Sequence, residues 1–313
     1  PSECRAGACA SCKTKLVDGK IKPLTDFAYV LDVDDIKSGT FLACQSLARS
    51  DLTIRVDSLE DGLKPIKPNV FSGEISELNY LTHDIHEVVV SLDGEMDYYA
   101  GQYANLTVPG ITESRSYSFA SAPEVESNTV IKFHIRMVPG GEVSAWLASG
   151  ACLGKAIQVE GPFGVFGIRE SLSPIVCIAG GSGMAPILSI LEQGLLVKIK
   201  RPVVYLYGAR TQADLYGESL ISDIRKHWSS SFRFTPILSE ELDETDWDGA
   251  RGLVTDYIKQ IEDFDLQGAQ AYLCGPPAMI DAAIPVLNNC GVRGRDIFYD
   301  KFVDRSHSPE ISG

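Results

Sequence analysis

Three cysteines, Cys4, Cys9 and Cys12, form a C-x4-C-x2-C run, and a fourth, Cys44, follows well downstream. Thiolates at this spacing are the ligand set of a [2Fe–2S] cluster, which passes one electron at a time. The residues between the thiols are mostly small (Ala6, Gly7, Ala8, Ala10, Ser11), so the loop can fold tightly and aim backbone N–H groups at the sulfurs. Cys44 ends the apolar run Phe41-Leu42-Ala43 and would close the cage from elsewhere in the fold. A structural zinc site is the alternative. Zinc usually takes two C-x2-C-like knuckles, and only Cys9–Cys12 has that form.

A second group of residues suits nucleotides. Ile178-Ala179-Gly180-Gly181-Ser182-Gly183-Met184-Ala185-Pro186 reads as a strand, a glycine turn and a helix start, which lets backbone approach a pyrophosphate. Ala271-Tyr272-Leu273-Cys274-Gly275-Pro276-Pro277 places Cys274 at the end of an apolar strand, before a sharp turn into a helix. Cys274, Gly275 and Pro276 offer a flat, low-bulk slot for a nicotinamide ring, although a structural cysteine before a turn reads equally well from this motif alone. On one predicted strand, Arg115 and Tyr117 face one way and Ser118 the other, a cation beside an aromatic ring. His134-Ile135-Arg136 continues through Gly140-Gly141 to Ser144, a strand leading through a glycine pair to a helix start. His83 and His86 fall on a turn and a strand with diverging rings, and the reading gives the histidines surface roles. Ser118 and Ser182 show no His/Asp partner for hydrolase chemistry.

These residues need three kinds of scaffold. Residues 1–62 form the cysteine segment, with β-like runs at Lys13–Leu16 and Leu52–Val56, followed by a Pro/Lys linker at 64–69. From 69 to 168, six short strands between turns (Phe71–Leu78, Ile85–Leu92, Ala104–Val108, Ser114–Phe119, Val130–Arg136, Ile157–Glu160) predict an antiparallel β-barrel or sandwich. From 172 to 303, apolar strands at Ile175–Ala179, Val203–Tyr207, Phe232–Leu238, Ala271–Cys274 and Ile297–Tyr299 alternate with helices. The helices are expected at Met184–Val197, Asp214–Trp228, Leu253–Asp263 and Pro277–Asn289, giving a doubly wound parallel α/β sheet. Residues 304–313 are a tail.

Composition bounds the function. The net charge is −14, and the cysteine segment is nearly neutral while the remainder is acidic, so nucleic acid is excluded as a partner. No apolar run approaches the ~18 residues of a membrane span. The cysteines outside the C-x4-C-x2-C…C set are scattered, which fits a reducing, cytoplasmic setting. The acidic run Glu240–Asp246 reads as a solvated loop.

Arg115-x-Tyr117-Ser118, Gly140-Gly141-x-x-Ser144, Gly180-Gly181-Ser182-Gly183-Met184-Ala185-Pro186 and Cys274-Gly275-Pro276-Pro277 together resemble the ferredoxin–NADP reductase superfamily. With the cysteine segment in front, the chain resembles the reductase component of multicomponent bacterial oxygenases, most closely those of the benzoate and naphthalene dioxygenase type. The resemblance implies a multidomain α+β and α/β chain: a truncated β-grasp [2Fe–2S] ferredoxin, an FAD-binding barrel and a parallel NAD-binding domain. It implies that Arg115 holds the FAD pyrophosphate, Tyr117 stacks on the isoalloxazine and Ser118 lies near flavin N5. His134, Arg136, Gly140, Gly141 and Ser144 would line the FAD phosphates and adenine side. Gly180, Gly181, Ser182, Gly183 and Pro186 would contact NADH, with Cys274, Gly275 and Pro276 at the hydride-transfer position. Phe302 matches a near-terminal aromatic that covers the flavin, although here a tail follows it.

NADP-preferring relatives place Ser-Arg after the third nucleotide-domain strand. This chain has Ser239-Glu240-Glu241 there, which favours NADH, while Arg210 keeps the question open. The implied reaction is hydride transfer from NADH to FAD, then one-electron steps through the cluster to the oxygenase component of an aromatic-ring dioxygenase or to a Rieske-type ferredoxin. Reductases of di-iron monooxygenases and of a deoxysugar dehydratase system share the motifs. A zinc-stabilised or redox-sensing binding module is the reading from another class. Relatives carry part of the β-grasp before their first ligand, so the sequence is expected to begin after a segment of that scaffold.

Overall fold

The structure, a computed structural model, describes residues 12–31, 33–56, 66–124 and 127–302. The chain forms two compact units, one mainly of residues up to Lys67 and the other of Pro68–Pro162 with Phe166–Phe302. Cys4 and Cys9 lie outside the described residues, as do the start of the linker and the tail.

The first unit holds β1 (Lys13–Asp18), β2 (Ile21–Pro23), α1 (Val33–Lys37), β3 (Thr40–Leu42), β4 (Ser46–Ala48) and β5 (Thr53–Arg55). β1 pairs antiparallel with β3 and β5, and β2 with β4. Cys12, Leu31 and Leu42 form its small core, with Phe27, Val30 and Cys44 against it. Of these strands the sequence revealed only β1 and β5, because three-residue strands carry too few side chains for an alternation to register.

The second unit begins with a six-stranded antiparallel sheet made of β6 (Asn69–Tyr80), β7 (Ile85–Leu92), β8 (Tyr103–Thr107), β9 (Arg115–Ser118), β10 (Val130–Arg136) and, after α2 (Glu142–Ala148), β11 (Ala156–Phe163). The strand order is β10-β7-β6-β11-β8-β9, and a bridge between Phe119 and Phe133 joins the end of β9 to β10 and curls the sheet towards closure. The β-branched run Val88-Val89-Val90 in β7 suits a strand buried on both faces. Ile131, Phe133, Phe119 and Val159 fill the interior, each fully buried side chain contributing about 1.5–3 kcal/mol.

The remainder is β12 (Ile175–Gly180), α3 (Met184–Leu196), β13 (Val203–Ala209), α4 (Glu218–His227), β14 (Phe232–Leu238), β15 (Ala250–Arg251), α5 (Val254–Ile258), β16 (Gln270–Gly275), α6 (Pro277–Asn289) and β17 (Ile297–Lys301). All strands are parallel, ordered β15-β14-β13-β12-β16-β17. β12 and β16 are buried at every residue, as central parallel strands covered on both faces must be. α6 starts after Pro276 with Pro277 in its first turn, where a missing N–H costs nothing. The buried Arg201 ties together the ends where strands begin, donating to the carbonyls of Ser173 and Arg169 and to Gln270 Oε1.

Two predicted helices are shorter than expected. At Asp214–Trp228, Thr211 and Asp214 instead close a capping box around a single turn, and Gly217 (φ +72°) interrupts the chain before α4 begins at Glu218. At Leu253–Asp263, α5 ends at Ile258, and Asp263 adopts a left-handed φ of 54° that no continuous helix allows. The two-residue edge strand β15 was not anticipated.

Two histidines depart from the expected surface roles, while His83 and His227 are exposed. His86 is buried in β7 with its ring edge-on to Tyr80, and His134 is buried in β10, 3.6 Å from Glu87 Oε2. The His134 contact holds the Glu87 carboxyl at about 2, well below the ordinary 4.5, against the opposing effect of burial. A carboxyl depressed in the folded state adds stability above its unfolded pKa and loses it as pH falls through the folded value. Glu87→Gln should therefore lower Tm at neutral pH, with the gap to the unmodified chain closing between pH 4.5 and about 2. Thermal unfolding at a series of pH values measures this, and a pH-independent gap would rule out the charged contact.

Candidate functional site

The strand order reverses between β12 and β16, so the loops leaving these two strands part and open a crevice at their carboxyl ends. Gly180–Gly183 leaves β12 as a single tight turn and runs straight into α3. Gly181 has φ +55°, and its carbonyl accepts from the hydroxyls of both Tyr207 and Tyr216, each at 3.3 Å. No side chain caps the Gly181–Gly183 turn, which leaves its N–H groups for an anion, while the first N–H of α3, that of Met184, already donates to the Gly181 and Ser182 carbonyls. A Cβ at Gly183 would stand 2.2 Å from the Cys274 carbonyl oxygen, so the two loops touch backbone to backbone. Ser182 and Pro186 are buried behind this turn.

Cys274 ends β16 with no exposure, and its register partner on β17 is Asp300. The Cys274 thiol lies 4.0 Å from Asp300 Oδ2, and the Ser118 hydroxyl donates to the same oxygen at 3.2 Å. Burial, reinforced by the Asp300 carboxylate, pushes the Cys274 thiol well up, so it is protonated and no nucleophile. Ser118 does have an acidic partner, contrary to the sequence reading; Asp300 is far away in the chain and reaches it only through the fold. Gly275 is buried and Pro276 exposed beside this cluster, and the Phe302 N–H donates to the Gly275 carbonyl at 2.9 Å. The Phe302 ring is half-buried against the core of the nucleotide sheet. Asp300 belongs to none of the sequence motifs. Its signal was the final strand running parallel beside the Cys274 strand.

On β9, Arg115 and Tyr117 share a face as expected. Arg115 Nη1 contacts Glu113 Oε2 at 3.2 Å, and burial raises the Tyr117 hydroxyl to about 12. Gly140, in a left-handed conformation, and Gly141 lead into α2, where Ser144 Oγ accepts from the Val138 N–H at 2.9 Å. A guanidinium, a neutral phenol and the Ser118 hydroxyl on one short strand fit a flavin dinucleotide with its phosphates and stackable ring. His134 packs edge-on against Tyr216, with ring centroids 5.4 Å apart, and so braces the barrel against the nucleotide sheet.

Arg136 does not join Arg115. It lines a cleft of about 200 Å³ together with Gly180, Gly181, Pro276, Arg210 and Ser239. Arg136 and Arg210 both bind Asp84 Oδ2, at 3.1 and 2.8 Å, and Arg210 also binds Asp214. His83, Asp84 and Asp214 have ligand atoms within 4.8 Å of one another, but the Arg210 guanidinium is already the cation among them. Glu240 is exposed at the rim, while Glu241 is held by the backbone and side chain of Gln212 rather than solvated with the rest of its run. Asp84 and Asp214 were missed, though the Thr211-x-x-Asp214 cap was readable.

In the first unit, the sulfurs of Cys12 and Cys44 lie 3.3 Å apart. That is too far for a disulfide bond and close enough for both to ligate one metal ion. The Ala43 N–H donates to the Cys12 carbonyl, which sets the two ligand segments side by side. The pair fits half of a [2Fe–2S] ligand set.

An antiparallel near-barrel followed by a parallel sheet with its crevice at the switch point is the fold of flavin- and nicotinamide-binding reductases. Family models match a 2Fe-2S iron-sulfur cluster binding domain at residues 1–49, an oxidoreductase FAD-binding domain at 72–168 and an oxidoreductase NAD-binding domain at 177–284. The chain is 39% identical over 306 residues to the xylene/toluene monooxygenase electron transfer component of Pseudomonas putida, covering 97% of this chain and 85% of that one. Its structure is similar to the Amycolatopsis cytochrome P450 reductase GcoB (TM-score 0.78, 29% identity, 96% of this chain and 90% of that). It is also similar to the ferredoxin reductase in carbazole 1,9a-dioxygenase (TM-score 0.72, 28% identity, 97% and 89%). The chain belongs to the electron-transfer reductase components of multicomponent oxygenases. No helix among the described residues is long and apolar enough to cross a membrane. Cys44→Ala should abolish iron incorporation and the visible absorbance of the cluster while leaving flavin content unchanged; iron and flavin analysis of the purified chain checks both.

Proposed function

We propose that the chain oxidises NADH, in preference to NADPH, and delivers the electrons singly to the oxygenase component or to an intermediary Rieske-type ferredoxin. The observation that carries the reading is the convergence of Ser118, Cys274 and Asp300 beside the nucleotide crevice. Bound flavin and the [2Fe–2S] cluster supply the conversion from an electron pair to single electrons. The protein orients the reactants. The turn at Gly180–Gly183 and the start of α3 hold the dinucleotide phosphates, and the small residues Cys274 and Gly275 leave room for the nicotinamide. Arg115 holds the flavin pyrophosphate, and Tyr117 supports the ring. Asp300 presents a carboxylate where positive charge develops on the nicotinamide as hydride leaves, and Ser118 and the neutral Cys274 thiol keep that carboxylate in place.

The resemblance to benzoate and naphthalene dioxygenase reductases makes a ring-hydroxylating dioxygenase the first reading of the acceptor, and the motifs themselves are shared with monooxygenase reductases. A monooxygenase is the second reading, favoured by the 39% identity to a monooxygenase component against 30% to the electron transfer component of a 2-halobenzoate 1,2-dioxygenase. Reconstituted turnover with each class of oxygenase separates them. The unpaired thiols Cys152, Cys177 and Cys274, all buried, support a reducing cytoplasm as the compartment.

Anaerobic titration with NADH, followed at flavin and iron–sulfur wavelengths, should bleach both centres. Asp300→Asn should slow flavin reduction about 10- to 100-fold in the rate constant rather than in KM, as expected for lost electrostatic stabilisation of a developing charge. An unaltered rate would remove Asp300 from the chemistry, and a cluster that stays oxidised would overturn the electron path.

A further inference from the structure

The nucleotide cleft contains two guanidiniums, and both are already paired with carboxylates. Asp84 lies in the turn between β6 and β7, positioned by Thr82, whose hydroxyl donates to Asp84 Oδ1 at 3.1 Å. Its other oxygen takes hydrogen bonds from Arg136 Nε at 3.1 Å and from Arg210 Nη2 at 2.8 Å. Asp214 Oδ1 binds the same Arg210 nitrogen, while Asp214 Oδ2 is fixed by the backbone N–H and hydroxyl of Thr211, both at 2.9 Å. The carboxylates are the less exposed partners, with side-chain exposures of 16% and 10% against about 40% for each arginine. The anions are therefore built into the wall, and the cations are tethered to them.

Arg210 ends the turn after β13, and the Glu240 N–H donates to its carbonyl at 2.8 Å. It thus lies on the β13–β14 side of the crevice, away from the phosphate-binding turn at β12, where the adenosine half of a dinucleotide extends. A guanidinium there is the natural ligand of a 2′-phosphate, a group carrying nearly two negative charges at neutral pH. Two carboxylates neutralise the two guanidiniums, and Glu240 adds a further negative charge at the rim.

We infer that Asp84 and Asp214 determine coenzyme choice by sequestering Arg210, so that a 2′-phosphate meets no available cation. This rests on the NADH reading above and gives it a cause beyond the carboxylates after β14. Specificity arises from occupation of a competent ligand by internal anions, not from its absence.

The test compares 2′,5′-ADP with 5′-ADP as inhibitors against NADH, using the full chain with flavin and cluster bound. In Asp214→Asn the amide oxygen can still accept from Thr211, while the NH2 group turns towards Arg210 and expels it. Inhibition by 2′,5′-ADP should tighten about tenfold, equivalent to ~1.4 kcal/mol, while that by 5′-ADP changes little. Arg210→Ala added to Asp214→Asn should cancel the gain. Asp84→Asn provides an independent route to the same shift if Asp214→Asn folds poorly. Unchanged 2′,5′-ADP affinity in both folded variants, or a gain that survives Arg210→Ala, overturns the inference. The NADH-to-NADPH ratio of kcat/KM in the unmodified chain tests the underlying reading separately, since it does not depend on which residue enforces the preference.

Discussion

Where β12 and β16 diverge, the Gly180–Gly183 turn lies against the backbone of Cys274 and Gly275 with no space for a Cβ between them. This contact between two main chains governs the rest of the site. It brings the start of α3 to the crevice, and it sets Cys274 beside the strand that carries Asp300. Any side chain at Gly183 would force the β16 loop outward and carry Cys274 with it. The small residues of both loops are thus requirements of packing as much as of ligand approach.

The barrel meets this arrangement at several polar points. Ser118 reaches Asp300, Asp84 reaches Arg210, and the Ala122 N–H donates to Glu192 of α3 at 2.8 Å. Burial raises the Glu192 carboxyl, more than its hydrogen bond from Ala122 lowers it, which marks how little water enters the seam. Ser189 adds a hydroxyl that donates to the Ser121 carbonyl and accepts from the Gly101 N–H. α3 therefore has two functions on opposite faces: its first turn faces the crevice, and its middle is fastened to the barrel.

The parts legible in the sequence were those in which one segment carries its own pattern. Ile85–Leu92, Val130–Arg136, Phe232–Leu238 and Pro277–Asn289 were read to the residue because apolar runs and flanking Gly or Pro bound them. The Gly turn, Cys274 and the Arg115–Ser118 strand were legible as motifs. Asp84, Asp214 and Asp300 were not, because an aspartate gains meaning only from a partner brought to it by the fold. Ser118 and Asp300 are 182 residues apart, and Asp84 and Arg210 are 126 apart. The helix boundaries that failed, at Asp214 and Asp263, did so where a local side-chain cap or a left-handed residue outweighed apolar periodicity.

Tyr207 and Tyr216 come from different parts of the nucleotide sheet, yet both hydroxyls converge on the Gly181 carbonyl. Their rings pack edge to face, nearly perpendicular, with centroids 6.1 Å apart. The glycine turn, the most flexible segment by composition, is thereby clamped by the two stiffest side chains nearby. Its conformational entropy is spent during folding, so a dinucleotide arrives at a rigid cradle and less of its binding energy goes into ordering the loop. A carrier that must accept and release a coenzyme at every cycle is thereby spared the reordering of a loop each time.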